Sequence, residues 1–112
     1  MNEQWVEVCA VAAIDDEVPL AVPVDGQEIA LYRVEGQVYA TDNLCSHGHA
    51  RLCDGYLEGH EIECPLHQGR FDVRNGHAMC APLTTGIRIY PVRMDGDRVL
   101  VNVAVAQSDR AA

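Results

Sequence analysis

Two short segments in the middle of the chain each combine one cysteine with one histidine. Cys45 and His47 form the pattern C-x-H, Cys64 and His67 form the pattern C-x-x-H, and 16 residues separate His47 from Cys64. Each segment can present one thiolate and one imidazole from a tight loop, and both groups are ligands for transition metals. Two such loops facing each other predict a metal centre with two sulfur and two nitrogen ligands.

The distribution of these ligands favours two metal ions over one. A structural zinc site of the Cys2His2 kind uses the same residue types, but it usually pairs its cysteines in one segment and its histidines in another. Here each loop mixes the two types, so that one iron can take both sulfurs and the other iron both nitrogens, as in a Rieske-type [2Fe–2S] cluster. We expect Cys45, His47, Cys64 and His67 to hold such a cluster, with a zinc-stabilised binding module as one alternative.

The other cysteines and histidines of the chain lack this pairing. They are Cys9, Cys53, Cys80, His49, His60 and His77. We interpret these cysteines as small buried residues and these histidines as surface or hydrogen-bonded ones, with His49 near enough to line the rim of the site. A Cys–His hydrolase is disfavoured, because its nucleophile would need a substrate cleft and an orienting third group.

The segments that must position the ligands have the pattern of short β-strands. Residue pairs typical of tight turns recur along the chain, at 25–26, 35–36, 54–55, 58–59, 75–76 and 95–96. The runs between them, rich in Val, Ile and Tyr, predict strands at 5–9, 20–24, 28–34, 37–42, 86–93 and 98–103. At most residues 10–16 could form a turn of helix, so we expect an all-β fold.

Length and composition predict one domain with an inserted lobe. A chain of 112 residues is enough for a single modest core. Residues 45–80 hold four of the five cysteines and all five histidines, which predicts a single domain over 1–112 with a cluster-binding lobe at about 43–83. The odd number of cysteines and the lack of a secretory signal favour thiolate ligands over disulfides and a cytoplasmic location.

The charge of the chain restricts its partners. It has 17 acidic residues against 8 arginines and no lysine, for a net charge of −9. Such a field repels phosphate backbones and anionic lipids, and no run of apolar residues is long enough to cross a bilayer. We therefore expect no nucleic acid and no membrane as partners, and instead a protein partner with a basic surface.

Three segments carry a resemblance to a known family. They are 40–48 (Ala-Thr-Asp-Asn-Leu-Cys-Ser-His-Gly), 54–59 (Asp-Gly-Tyr-Leu-Glu-Gly) and 63–72 (Glu-Cys-Pro-Leu-His-Gln-Gly-Arg-Phe-Asp). In these motifs, and over nearly its whole length, the chain resembles the Rieske ferredoxins of bacterial aromatic-ring-hydroxylating dioxygenases, in particular the naphthalene dioxygenase ferredoxin group. The resemblance implies antiparallel β-sheets forming a base, with a cluster lobe whose loops near 45–50 and 64–69 bring the histidine edges to the surface. A third loop, at 81–83, would close over the cluster.

The resemblance also implies a function and two partners. In that family the ferredoxin takes one electron from a flavin-containing reductase that oxidises NAD(P)H, and passes it to a terminal oxygenase. The ferredoxin transforms no substrate itself, so we expect no catalytic residues, and we expect a monomer. A Rieske-like small subunit of a reductase, such as a nitrite reductase, is the other alternative. Which aromatic compound the system oxidises is a property of the oxygenase.

The resemblance to Rieske proteins also predicts a low reduction potential. In the high-potential respiratory branch two extra cysteines bridge the cluster loops, but Ala50 and Leu66 occupy those positions here. Hydroxyl donors to the cluster sulfurs are replaced by Gly69 and Phe71, so fewer hydrogen bonds would stabilise the extra negative charge of the reduced form. We further expect uncharged residues around the ligands to form the docking rim. They are Gly48, Leu66, Gln68, Pro82 and Leu83.

Overall fold

The computed structural model of the chain describes residues 5–45, 50–65, 69–79 and 86–103. Within these ranges the chain forms ten strands and two turns of 3-10 helix, at Val11–Ala13 and Leu52–Asp54. The strands are β1 (Val6–Ala10), β2 (Leu20–Val24), β3 (Gln27–Val34), β4 (Gln37–Asp42), β5 (Tyr56–Glu58), β6 (Glu61–Glu63), β7 (Arg70–Asp72), β8 (Ile89–Tyr90), β9 (Val92–Asp95) and β10 (Arg98–Val101). The all-β prediction is confirmed, and the helical turn expected within 10–16 is the first 3-10 turn.

The strands form three antiparallel sheets around two groups of buried side chains. Sheets β2-β3-β4-β8 and β1-β10-β9 make a base, and β5-β6-β7 forms the third sheet. The base encloses Ile14, Ile29, Leu31, Val99 and Val101, all completely buried. A second buried group joins the third sheet to one side of β3 and contains both Cys45 and Cys64. The described part of the chain contains no helix long and apolar enough to cross a membrane.

Two-residue turns set the register of the base. Asp25 and Gly26 have φ of 51° and 83°, and Glu35 and Gly36 have φ of 54° and 80°. Positive φ at both central residues is the geometry that matches the twist of paired strands, so these turns hold β2, β3 and β4 in one meander, as predicted. The pair 54–55 behaves differently, because Gly55 has a φ of −91° and ends the second 3-10 turn.

The predicted strand at 86–93 is wrong as a single element. It is two strands, since β8 pairs with β4 in one sheet and β9 pairs with β10 in another. Pro91 lies between them, and its nitrogen has no hydrogen to donate to a strand partner, so the chain changes sheets there. Strands β5, β6 and β7 were not predicted, because three-residue strands such as Glu61–Glu63 are too short to show a period.

Candidate metal centre

Both predicted ligand loops are closed at their base by the same kind of hydrogen bond. The Cys45 amide donates to the Ala50 carbonyl at 3.0 Å, and the Cys64 amide donates to the Gly69 carbonyl at 2.7 Å. In each case the cysteine is the first residue of the loop and the acceptor lies five residues further along. Each cysteine is therefore held at a stem of paired backbone, which fixes its Cα before the loop begins.

The two cysteines share one buried, mostly apolar environment. Cys45 is 2% exposed and Cys64 is completely buried. Their neighbours in the buried group include Leu52, Ile62 and Phe71, each completely buried. The two thiols thus share a place where a bound metal ion would be shielded from water on its inner side.

A glycine brings the segments of the two loops into contact. A β-carbon built on Gly55, which follows the first loop, would lie 1.9 Å from the carbonyl oxygen of Glu63, the residue before Cys64. The φ of Gly55 is one that any residue can adopt, so the glycine is needed here for the close approach of two backbones. Nothing in the local sequence indicates the contact with Glu63.

A network of polar side chains closes the stem of the first loop. The Asn43 amide donates to Glu28 Oε1 at 2.9 Å and to Cys53 Sγ at 3.3 Å, while its oxygen accepts from the Cys53 amide at 2.9 Å. Arg51 donates to both carboxylate oxygens of Glu28, at 3.1 and 2.7 Å. The hydrogen bonds from Arg51 and then from Asn43 hold the pKa of Glu28 below its usual value.

The segment that follows residues 80–85 makes hydrogen bonds to Gly76 and to the end of β4. The Ile87 amide donates to the Gly76 carbonyl at 2.9 Å, and Arg88 Nε donates to Asp42 Oδ2 at 3.0 Å. The Tyr90 hydroxyl donates to Asp42 Oδ1 at 2.5 Å, and burial raises its pKa well above the usual value. The segment after the predicted third loop is therefore anchored beside the end of β4, and the segment before the loop is bonded to it through Gly76.

Part of the predicted site lies outside the described residues. This holds for the ligands His47 and His67, for His49 and Cys80, for the third loop at 81–83, and for all five rim residues Gly48, Leu66, Gln68, Pro82 and Leu83. The structure thus brings Cys45 and Cys64 into one buried group, and the roles of all four residues as ligands stay predictions. In the described ranges no three His, Cys, Asp or Glu side chains are grouped closely enough to hold a metal ion.

Four of the residues expected not to bind metal are described. Cys9 packs against the core of the base, and burial raises the pKa of its thiol. Cys53 is half-buried and is hydrogen-bonded to Asn43. His60 meets the Tyr39 ring edge to face at 5.8 Å, and the His77 amide donates to Asn75 Oδ1. Each of these residues therefore has a contact with the surrounding protein.

Comparisons with known proteins identify the family of the chain. A profile of the Rieske [2Fe–2S] domain matches residues 4–91. The chain therefore belongs to the Rieske [2Fe–2S] family, and a Rieske-type cluster is its cofactor. This membership excludes the zinc alternative.

The relatives identify the branch of this family. The chain is similar to the ferredoxin component of the naphthalene 1,2-dioxygenase system of Pseudomonas aeruginosa, with 56% identity over 93% of this chain and all of the relative. The ferredoxin of carbazole 1,9a-dioxygenase from Nocardioides aromaticivorans IC177 superposes with a TM-score of 0.85 at 42% identity, over 88% of this chain and 97% of that one. A chain in a complex of reduced oxygenase and oxidised ferredoxin of carbazole 1,9a-dioxygenase gives a TM-score of 0.84 at 36% identity, over 90% and 94%. These are electron-transfer components, and the chain is a ferredoxin of this group and not a catalytic subunit.

Proposed function

We propose that this ferredoxin carries single electrons from a flavin-containing NAD(P)H ferredoxin reductase to the terminal oxygenase of an aromatic-ring-hydroxylating dioxygenase system. The observation that supports this most directly is the matched pair of loop stems, which start at Cys45 and Cys64 and share one buried group. The complex of a related ferredoxin with an oxygenase supports the second partner. The reductase follows from the resemblance of the whole chain to this group.

We assign cluster binding to Cys45 and Cys64 on one iron and to His47 and His67 on the other. When bound, a Rieske cluster accepts and releases one electron with a change of one unit of charge. The protein contributes rigidity and a dry environment on the inner side, where Phe71 and Ile62 pack with both cysteines. We propose that the lobe spans about 43–83, that the protein acts as a monomer, and that it works in the cytoplasm.

The distribution of charge supports partners with basic docking surfaces. Six of the seven described arginines form ion pairs, and the seventh, Arg93, lies over the Trp5 ring at 4.9 Å. In the described part of the chain, positive charge is thus largely paired with neighbouring carboxylates, and the chain as a whole keeps a net charge of −9. Long-range attraction would bring a basic partner near, and the uncharged rim would determine the contact.

Reconstitution tests this function. The purified protein, a naphthalene dioxygenase reductase and the matching oxygenase should together oxidise naphthalene at the expense of NADH, and omission of the ferredoxin should abolish product. A Cys64→Ser variant is the matched control, because it keeps the size of the side chain but loses the soft thiolate. If the loaded protein is reduced by the reductase but is never reoxidised by the oxygenase, the proposed function is wrong. Stable co-purification with a larger reductase would favour the small-subunit alternative.

A further inference from the structure

We propose that Asn43 and Glu28 are positioning residues for the first ligand loop, and that they determine where its stem holds Cys45 without touching the metal. This inference rests on the proposed role of Cys45 as a ligand. It assigns a role to side chains that the resemblance leaves without one.

Asn43 uses every polar group that it has. It is 1% exposed, and it lies at the end of β4, two residues before Cys45. Its backbone amide donates to the Glu28 carbonyl at 3.2 Å, and its carbonyl accepts from the Leu52 amide at 2.7 Å. Its side chain makes the three bonds to Glu28 and Cys53 described above. One residue therefore joins β3 to both sides of the loop stem.

Glu28 completes the clamp from the other side. Its carboxylate accepts from Asn43 before the loop and from Arg51 after it, in a two-point contact with the guanidinium. Bidentate pairs of this kind fix orientation as well as distance. The side chains of Glu28 and Arg51 are each about half exposed, so the pair serves geometry more than stability.

The geometry of the stem limits where the ligands can lie. Only residues 46–49 lie between Cys45 and Ala50, whose backbones are hydrogen-bonded. A slip of one residue in the stem would move the attachment of the loop by roughly 3.3 Å along the chain. Metal sites tolerate errors in ligand distance of about 0.2 Å, so a fixed register is a condition for ligation. The Asn43 side chain fixes that register, since its oxygen accepts from the Cys53 amide and its nitrogen donates to Cys53 Sγ.

The test compares the rate of iron release to ferrozine and the EPR spectrum of the reduced protein among variants. Asn43→Ala removes all three side-chain bonds. Asn43→Asp keeps the shape and the acceptor for the Cys53 amide, but it loses both donated bonds and places a carboxylate against Glu28. Both variants should release iron about 10- to 100-fold faster than wild type and should show shifted or broadened g-values.

Asn102 provides a matched control. It is a buried asparagine, 3% exposed, which directly follows β10 in the base. Asn102→Ala should lower the melting temperature but leave the iron-release rate at 25 °C and the g-values of wild type. If Asn43→Ala matches Asn102→Ala in all three measurements, Asn43 has only a structural role and the proposal is wrong.

Two further variants decide the matter if the Asn43 variants do not fold. Glu28→Gln and Arg51→Gln change partly exposed side chains and should fold. Each should accelerate iron release by severalfold, with Glu28→Gln the milder because its amide oxygen can still accept from Asn43. Wild-type rates for both would overturn the proposal. These measurements need no reductase or oxygenase, so a negative result here is separate from a failure of the reconstituted system.

Discussion

The four predicted ligands are the residues whose individual roles are most directly testable. Replacing His47 or His67 by Ala should abolish the intact Rieske spectrum, because one iron loses half of its protein ligands. Changing His60 or His77 to Ala should leave the spectrum unchanged, since neither belongs to a paired Cys and His segment and the His60 ring packs against Tyr39. Visible absorption and EPR of the purified variants measure this. Loss of the cluster in the His60 variant together with its retention in the His67 variant would refute the assignment.

Gly55 tests the contact between the two loop segments. A Gly55→Ala substitution places a methyl group against the Glu63 carbonyl, where a β-carbon would lie at 1.9 Å. Backbone must move on both sides, so we expect a loss of about 3 kcal/mol in the free energy of unfolding and a lower cluster content.

Gly26→Ala is the control for this substitution. Nothing lies within 4 Å of a β-carbon at Gly26, but its φ of 83° disfavours any side chain. It should cost about 1–2 kcal/mol in stability and leave the cluster content unchanged. Equal cluster contents in the two variants would show that the contact at Glu63 does not position the second loop.

Phe71 and Gly69 test the origin of the reduction potential. Phe71 is completely buried in the group that contains both cysteines, and it offers no hydrogen-bond donor. We expect a midpoint potential near the low end of the Rieske range, about −150 mV. Phe71→Tyr and Gly69→Ser should raise it, because an added hydroxyl can donate to a sulfur that becomes more negative on reduction. Phe71→Leu should not raise the midpoint potential, because it adds no hydroxyl. A wild-type midpoint above about +200 mV, measured by redox titration, would contradict this account.

At the scale of elements, the end of β7 should make the stability of the lobe depend on pH. The Asp72 carboxylate accepts from the Arg74 side chain at 3.0 and 2.8 Å and from the Arg74 amide at 2.9 Å. The side-chain hydrogen bond from Arg74 is the largest cause of a pKa lowered below the value of an ordinary Asp carboxyl. Stability from a group with a depressed folded pKa is present above the unfolded pKa and is lost as pH falls through the folded one.

The lowered pKa of Asp72 predicts how the melting temperature changes with pH. Wild type should melt at a higher temperature than Asp72→Asn at pH 6, and the gap should close as pH falls from about 4 towards 3. Arg74→Leu should show the same loss, and the double variant should be no worse than either single variant. Circular dichroism melts at several pH values measure the gap, and a gap that persists unchanged at pH 3 would exclude Asp72 as its source.

At the scale of the whole molecule, the net charge of −9 should affect the rate of reduction by the reductase. Raising salt from about 20 to 500 mM shortens the screening length from roughly 20 Å to 4 Å, so association with a basic partner should slow. Stopped-flow reduction at a series of salt concentrations measures this. A rate that does not change with salt would show that the charge does not steer the encounter.

Two exposed aspartates test which part of the surface charge affects the rate of reduction. Asp54 follows the first ligand loop, whereas Asp97 lies in the turn between β9 and β10 of the base. Asp54→Asn should slow reduction more than Asp97→Asn, although both change the net charge equally. Equal effects would mean that the total charge, and not its position near the loops, governs the encounter.

Much of this protein can be predicted from residue types and short spacings. The pairs of Cys and His identify the cofactor, because few other arrangements put one thiolate and one imidazole in each of two tight loops. The turns at Asp25–Gly26 and Glu35–Gly36 and the strands β2, β3 and β4 follow from local backbone preferences, which act over two to eight residues. Such information is contained in the sequence because it needs no knowledge of distant neighbours.

The tertiary structure alone determined the features that depend on contacts between distant segments. Asn43 meets Glu28 across 15 residues, Arg88 meets Asp42 across 46, and Gly55 is needed only because Glu63 passes beside it. The division of the last predicted strand at Pro91 likewise depends on which sheet each half joins. Local pattern cannot report these contacts, because the energy of each depends on a partner that only folding brings near. The sequence by itself predicted the ligands of the cluster, and the fold determined what holds the stems of their loops in place.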